Sequence, residues 1–170
     1  DTKLMVMVKA FAYGSGNFEV SNVLEFHRAD YLTVAYADEG IELRRNGITL
    51  PIVVMTPEIN TSESIIKNNL EPDIYSFRSL SLLEEAIDNL DTPLRAPIGI
   101  HIKLDTGMRR LGFLPNDIDE LLERIKSNDK IIVKSVFSHL AGSDSQEFND
   151  FTMKQIDNFE AMSSKIVEAL

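Results

Sequence analysis

Short runs of apolar and β-branched residues alternate along the chain with longer segments of helical periodicity. Six of these runs predict strands, at residues 4–9, 31–37, 51–55, 72–77, 97–105 and 131–139. Each run is followed by a segment in which apolar residues recur every three or four positions, as on one face of a helix. The pattern therefore predicts six βα units, with no linker or low-complexity segment between them.

Three of the helical segments carry a clear apolar face. These faces comprise Leu82, Leu83, Ala86, Ile87 and Leu90, then Ile118, Leu121, Leu122 and Ile125, and finally Met153, Ile156, Phe159, Ile166 and Leu170. Residues typical of helix ends stand beside the helical segments. Asp38 and Gly47 bracket one helix, Ser79 precedes the Leu82 face, and Pro115, Asn116 and Asp117 open the next helix.

The strands at 51–55 and 97–105 are almost continuously apolar, which is typical of strands buried on both faces of a parallel sheet. A doubly wound sheet and a (β/α)₈ barrel both satisfy this pattern. Polar residues fall at or just beyond five predicted strand ends, where barrels place their chemistry. They are Lys9, Asp38, Thr56, Asp105 and His139. These positions favour an α/β fold of the TIM barrel type, with about six of its eight βα units in residues 1–170.

The charge and the lack of Cys limit which ligands and partners are expected. The chain has 170 residues, a formal charge of -10 and no Cys. Nucleic acids and anionic membranes need clustered Lys and Arg, so small molecules are the expected ligands. The lack of Cys excludes disulfides and thiolate metal sites, and no metal is expected. No apolar run reaches the length of a membrane span and no leader is recognisable, so we expect a cytoplasmic protein.

The stretch MVMVKAFAYGSG, from Met5 to Gly16, runs from a predicted strand into a glycine-containing turn. Lys9 ends the strand among apolar neighbours, which is the setting of a lysine that forms a Schiff base. A competing interpretation makes Gly14 to Gly16 an anion loop of a doubly wound phosphate-binding module. It is weaker, because the lysine precedes the glycines instead of following them.

Two further stretches place charge after a buried strand. In IHIKLDTGMRRLGF, residues 100–113, one acid and several basic residues surround Gly107. An ion pair of Lys103 with Asp105 beside solvated arginines would explain a generic loop of this kind, whereas such a density of charge at a strand end is typical of a site. In VFSHLAGSD, residues 136–144, a histidine follows an apolar strand, and such a histidine is as often structural as functional.

Together the three stretches resemble the alanine racemase family, in which the corresponding segments read VKANAYGHG, HxKxDTGMxRLG and FTHFATAD. Residues 30–55 and 73–77 resemble its second, third and fourth barrel strands, so the resemblance runs from about Leu4 to Asp144. Phe11 and Ser15 depart from the usual Asn and His. They put in doubt only the fine shape of the pocket.

The resemblance implies a role for five residues. Lys9 would carry pyridoxal phosphate and act as one of two bases, and Tyr13 would bind the cofactor phosphate. Arg110 would contact the phenolic oxygen of the cofactor, and His139 would lie beside its pyridine ring. Lys103 matches a lysine that the family carbamylates, whose anionic carbamate would hold Arg110.

The same resemblance implies a domain plan and an activity. Residues 1–170 would be a partial barrel domain that binds pyridoxal phosphate, without the family's C-terminal β domain. The parent protein would be a homodimer that interconverts L-alanine and D-alanine for peptidoglycan synthesis. In some bacteria this racemase follows a Mur ligase domain in one chain, which would account for a start at Asp1. The alternative within the same fold is a non-catalytic barrel that binds the cofactor.

Several of the family's functional groups would lie outside residues 1–170, among them the second base, a tyrosine donated by the other subunit. The isolated chain is therefore expected to be inactive. The two remaining histidines match nothing in the family. We expect His27 on a helix surface and His101 within a strand.

Overall fold

A computed structural model of the protein describes residues 2–170. It contains six strands in the predicted order, each followed by helix. The strands are β1 (Met5–Met7), β2 (Tyr31–Val34), β3 (Ile52–Val54), β4 (Glu71–Ile74), β5 (Ile98–Lys103) and β6 (Ile131–Phe137). The helices are α1 (Lys9–Tyr13), α2 (Asn17–Phe26), α3 (Ala37–Arg45), α4 (Ser62–Lys67), α5 (Phe77–Asp88), α6 (Ile118–Lys126) and α7 (Asn149–Ala169), with 3₁₀ turns at Pro115–Asp117 and Gln146–Phe148. The six predicted βα units are thus confirmed.

The chain divides into two compact units. Unit 1 comprises residues 2–73 and Leu82–Pro93, and unit 2 comprises Ile74–Ser81 and Leu94–Leu170.

In unit 1 the strands pair in parallel and in the order of the sequence. β2 lies between β1 and β3, and β3 in turn pairs with β4. In the two common doubly wound orders a strand crosses to the other side of β1, β4 in one order and β3 in the other, whereas here β3 pairs with both β2 and β4. The doubly wound interpretation is therefore wrong for this chain, because its strands advance in one direction as they do in a barrel.

The core of unit 1 lies between these strands and their helices. Leu32, Val34, Ile52 and Val54 are fully buried at the centre of the sheet. They pack with Leu43 of α3, Ile65 of α4 and neighbouring residues. Strands buried on both faces are what the continuous apolar runs predicted.

Arg44 makes hydrogen bonds to the two loops that lead into β3 and β4. Its guanidinium donates to the backbone carbonyls of Ile48 at 2.8 Å, Leu50 at 2.7 Å, Asn68 at 3.2 Å and Asn69 at 3.0 Å. Burial lowers the pKa of Arg44, and the carboxylates of Glu25 and Glu71 oppose that effect. These loops lie at the amino ends of the strands, which in barrels serve stability more than chemistry.

Unit 2 contains the paired strands β5 and β6. Their parallel register runs from Ile98 with Ile131 to Lys103 with Phe137 and is interrupted by a bulge after Ile100. The apolar face predicted for α6 is confirmed, because all four of its members are buried. His101 is confirmed as a buried strand residue, and its Nδ1 lies 2.7 Å from the hydroxyl of Ser135.

Three local predictions were wrong. α3 begins at Ala37, so Asp38 lies in its first turn and is not its cap. α5 begins at Phe77, two residues before Ser79, because the hydroxyl of Ser76 accepts the Ser79 amide at 3.1 Å. On α7, Met153 and Leu170 are more than half exposed, and the buried positions are Gln155, Met162 and Ile166.

Candidate functional site

Lys9 lies just beyond the carboxyl end of β1, in unit 1. The strand ends at Met7, two residues earlier than predicted, although Val8 still donates its amide to the Thr33 carbonyl at 2.8 Å. Val8 is buried and Lys9 is half-buried. The apolar stem of the lysine is thus partly covered at the strand end where a barrel places its reactive groups.

After Lys9 the backbone makes a left-handed helical turn. Ala10, Phe11 and Ala12 have φ between 51° and 59° and ψ between 42° and 49°, and Tyr13 has φ 55°. Each residue with a Cβ costs about 1–2 kcal/mol in this conformation. Consecutive residues of this kind are rare, and strained backbone is concentrated at functional sites.

Backbone hydrogen bonds hold the turn closed. The Ala12 amide donates to the Val8 carbonyl at 3.0 Å, and the Gly14 and Gly16 amides donate to the Phe11 carbonyl at 3.0 Å each. Gly14 and Gly16 have φ of 88° and 94°. The turn places Lys9 at its start and Tyr13 at its end, with the Tyr13 ring 67% exposed. These two predicted site residues are therefore brought together in one short segment.

Glu39 ties this turn to the neighbouring strand end. One carboxylate oxygen accepts the Ala10 amide at 2.7 Å, and the other accepts the amides of Ala35 at 2.7 Å and Tyr36 at 3.2 Å. Charge-assisted bonds of this kind are roughly twice as strong as neutral ones. Glu39 thus anchors the residue after Lys9 to the end of β2, a role that the sequence analysis missed.

In unit 2, Lys103 is the last residue of β5 and is 6% exposed. Its Nζ lies 5.2 Å from the centroid of the Phe137 ring, on the adjacent strand. This distance lies within the range of a cation–π contact. Lys103 is therefore a buried strand-end group and not a solvated cation.

The segment after β5 is a closed loop. The Phe113 amide donates to the Lys103 carbonyl at 2.9 Å, and the Asp105 amide donates to the Phe113 carbonyl at 3.0 Å. One oxygen of Asp105 accepts the amides of Gly107 at 2.9 Å and Arg109 at 3.0 Å. Asp105 thus organises the loop.

Arg110 is exposed in this loop, and so is Arg109, whose φ is 58°. His139 is exposed in the loop after β6. The sequence predicted both Arg110 and His139 as cofactor contacts, and their side chains are accessible in unit 2. His27 is exposed at the end of α2, as expected, with its ring edge-on to Phe26 at 5.2 Å.

A buried polar network joins the two loops of unit 2. Gln155 of α7 is fully buried, and its side chain contacts both loops. Thr106 and Ser138 also belong to the network, because their hydroxyl oxygens lie 2.8 Å apart. The sequence analysis named none of these three residues. Gln155 could have been found by period, since it stands four, seven and eleven residues before Phe159, Met162 and Ile166 on the buried stripe of α7.

Residues 2–170 contain neither a cluster of metal-ligating side chains nor a membrane-spanning helix. No group of three or more His, Cys, Asp or Glu side chains there is placed to hold a metal ion. No helix in that range combines the length and hydropathy that crossing a membrane requires.

The fold and the polar strand ends define the class of protein: parallel βα repeats in sequential order, with a lysine after β1 and basic groups after β5 and β6. The family model of the alanine racemase N-terminal domain matches residues 1–170. The chain belongs to the alanine racemase family. Its fold is that of the family's N-terminal domain, an α/β fold with six parallel strands that forms part of a TIM-type barrel.

Individual relatives of this chain are also alanine racemases. Alanine racemase 1 of Clostridium acetobutylicum is 38% identical over 162 residues, which cover 93% of this chain and 40% of the relative. Alanine racemase of Methanococcus maripaludis is 34% identical over 171 residues, covering 98% and 44%. Alanine racemase of Clostridium difficile 630 superimposes with a TM-score of 0.90 at 37% identity, covering 99% of this chain and 44% of that one. The chain thus spans less than half the length of these relatives.

Proposed function

We propose that the protein to which this chain belongs is an alanine racemase that depends on pyridoxal phosphate, and that Lys9 carries the cofactor. The observation that carries the proposal is the half-buried Lys9 at the carboxyl end of β1, at the start of a strained turn, in a chain of this family. The cofactor, when bound, withdraws electrons from an attached amino acid and so acidifies its Cα proton.

The side chains of both units fit the chemistry of pyridoxal phosphate. In unit 1, Lys9 offers an amine to the aldehyde and the exposed Tyr13 offers a hydroxyl to the phosphate. In unit 2, the exposed guanidinium of Arg110 suits the phenolic oxygen and His139 suits the ring. The family resemblance assigns each of these four residues a role toward the cofactor.

Each residue then has a separate task. Lys9, as a free amine, accepts or returns the Cα proton at Nζ on one face of the substrate. Tyr13 donates a hydrogen bond to the phosphate, and Arg110 holds the phenolic oxygen by charge. Lys103, if its neutral amine adds CO₂ and releases a proton, would become an anionic carbamate that fixes Arg110. Lys103 is 6% exposed, which fits a group enclosed by the protein and not a solvated cation.

A second base on the opposite substrate face completes a reversible racemisation. The resemblance gives that role to a tyrosine of the other subunit, so the working enzyme is a homodimer, located in the cytoplasm, that supplies D-alanine to peptidoglycan. We therefore expect isolated residues 1–170 to convert L-alanine to D-alanine with little or no activity, even with the cofactor added. Measurable conversion by the isolated chain, detected by chiral chromatography, contradicts this expectation.

Replacing Lys9 tests the proposal in the full-length protein. Lys9→Ala removes both the cofactor's covalent anchor and one base, so racemisation falls about a thousandfold or more. The absorbance band of the lysine-bound cofactor disappears at the same time. Lys3→Ala removes an exposed amine near the same strand and changes neither readout.

The outcomes separate the alternatives. A Lys9→Ala protein that keeps its activity and its absorbance band refutes the proposal. A full-length wild type that shows the band without racemisation is the non-catalytic carrier.

A further inference from the structure

We infer that Gln155 is a positioning residue: with Thr106 and Ser138 it joins the loop that carries Arg110 to the loop that carries His139, so that the two loops hold the cofactor as one rigid body. The inference rests on the proposed function. All the residues involved belong to unit 2.

The side-chain amide of Gln155 makes hydrogen bonds to both loops. Its nitrogen donates to the Thr106 hydroxyl at 3.1 Å and to the His139 carbonyl at 2.9 Å, and its oxygen accepts the Ala141 amide at 2.8 Å. The partners fix the orientation of the amide, since a carbonyl only accepts and a backbone amide only donates. Gln155 has no exposed surface, so each of these bonds is costly to lose.

The partners of Ser138 and Thr106 also fix which of the two hydroxyls donates to the other. Ser138 donates to the Leu104 carbonyl at 2.8 Å, which uses its only proton. Thr106 must therefore donate to Ser138 across their 2.8 Å contact, and its oxygen is left to accept from Gln155. These three bonds form one chain of donors, from Gln155 to Thr106, from Thr106 to Ser138 and from Ser138 to the Leu104 carbonyl.

The loop after β5 has one further attachment to the same helix. The amide nitrogen of Asn158 donates to the Thr106 carbonyl at 3.1 Å, one turn beyond Gln155. Thr106 is 4% exposed and cannot exchange these partners for water without opening the loop. A shift of α7 would therefore move Arg110 and His139 together.

Gln155, Thr106 and Ser138 are not among the cofactor contacts proposed above, so the network would affect the reaction through alignment. Misplacing a reacting or binding group by about 1 Å can cost on the order of a hundredfold in rate. The loss is expected in turnover and in cofactor affinity.

Isosteric substitutions in the full-length protein loaded with pyridoxal phosphate test the inference. Thr106→Val keeps the shape of the side chain but removes two bonds of the network. We expect turnover to fall about tenfold to a hundredfold and the dissociation constant of the cofactor to rise about tenfold. Thr106→Ser restores the hydroxyl and returns both quantities to within about twofold of wild type.

Thr152→Val is the matched control. Thr152 lies on α7 one turn before Gln155, and its buried hydroxyl oxygen makes no hydrogen bond within residues 2–170. The same change of side chain therefore removes no bond, and turnover stays within about twofold of wild type.

Hydrogen exchange of the cofactor-free protein supplies a readout that does not depend on activity. Thr106→Val, which alters the loop after β5, should also accelerate exchange of the Ala141 amide in the loop after β6. Should Thr106→Val fail to fold, Ser138→Ala, which removes the adjoining bonds, replaces it with the same expectations.

A folded Thr106→Val protein with unchanged turnover, cofactor affinity and exchange overturns the inference. So does a loss that Thr106→Ser does not repair, because the hydroxyl is then not responsible. Failure of the proposed function looks different: wild type would not racemise alanine, or Lys9→Ala would leave racemisation intact. The exchange experiment still decides whether the two loops are coupled.

Discussion

Ala10, Phe11, Ala12 and Tyr13 adopt a backbone conformation that none of them favours, directly after the lysine proposed to carry the cofactor. This turn carries Lys9 at its start and Tyr13 at its end. The bonds from Glu39 and from within the turn offset the local cost. Stability and site geometry are therefore opposed at this turn.

Replacing Ala10 by glycine tests whether the turn costs stability. Ala10 is exposed with φ 51°, so Ala10→Gly relieves the Cβ strain and is expected to raise the free energy of unfolding by about 1 kcal/mol. Ala86→Gly, in the right-handed helix α5, lowers that free energy by about 1 kcal/mol. Denaturant titration of both variants measures the two signs. A loss of stability in Ala10→Gly would show that the turn is not strained at this residue.

The hydrogen bonds accepted by Glu25 predict how the stability of the protein depends on pH. One of its oxygens accepts the Thr49 hydroxyl and the amides of Thr49 and Leu50 at 2.9 and 3.1 Å. The hydrogen bond from the Thr49 hydroxyl is the main cause that lowers the pKa of Glu25, although burial opposes it. Because the folded pKa lies below the unfolded one, this stabilisation is present above about pH 4.3 and is lost as pH falls through the folded value.

Glu25→Gln should therefore destabilise the protein by about 1 kcal/mol at pH 7 and by less as the pH drops below about 4. Glu19→Gln, at an exposed position of the same helix, is the control. Unfolding midpoints measured from pH 7 to pH 3 give both comparisons. A stability difference for Glu25→Gln that stays constant over this range would contradict the assignment.

At the scale of the elements, the loop from Leu104 to Gly112 has a glycine where no Cβ can be accommodated. Gly112 has φ 132°, and a Cβ there would lie 2.4 Å from the Asp105 nitrogen and 2.6 Å from the Leu104 carbonyl carbon. Backbone atoms at that distance cannot move without opening the contact between Leu104 and Phe113.

Gly112→Ala is therefore expected to cost about 3 kcal/mol or more in stability, since overpacking adds to the strain of positive φ. Gly47→Ala is the control, because Gly47 has φ 92° but nothing within 4 Å of its added Cβ, so only about 1–2 kcal/mol is lost. Thermal unfolding of the two variants measures the difference. Equal losses would mean that the loop relaxes around the new methyl group.

The sequence predicted the elements because their signals are local. Six apolar runs and the α6 face at Ile118, Leu121, Leu122 and Ile125 need no knowledge of the partner element. The handedness of the turn after Lys9 and the role of Gln155 are set by contacts across 14 to 49 residues, such as that of Gln155 with Thr106. Residue motifs located Lys9, Lys103, Arg110 and His139, whereas Glu39 and Gln155 belong to no motif and only their hydrogen bonds identify them.

At the scale of the whole molecule, β6 is the last strand in the sequential order. Within residues 2–170, β6 is paired with β5 alone. A groove between β6 and α7 is lined largely by apolar side chains, among them Val133, Phe159, Ile166 and Val167. Val167 is 70% exposed. A sheet edge with open backbone groups beside an apolar groove promotes self-association.

Isolated residues 1–170 are therefore expected to self-associate through this face, and Val167→Lys should oppose it, since burying the new ammonium at an interface is costly. Val23→Lys places the same charge on α2 at a position 56% exposed and should leave association unchanged. Sedimentation equilibrium over a tenfold or larger range of concentration distinguishes oligomers from the 19.1 kDa chain. A wild-type chain that sediments as a monomer throughout contradicts the expectation. Both variants change the net charge by the same amount, but only Val167→Lys places the charge in the groove. Equal effects of the two variants would therefore assign the association to net charge.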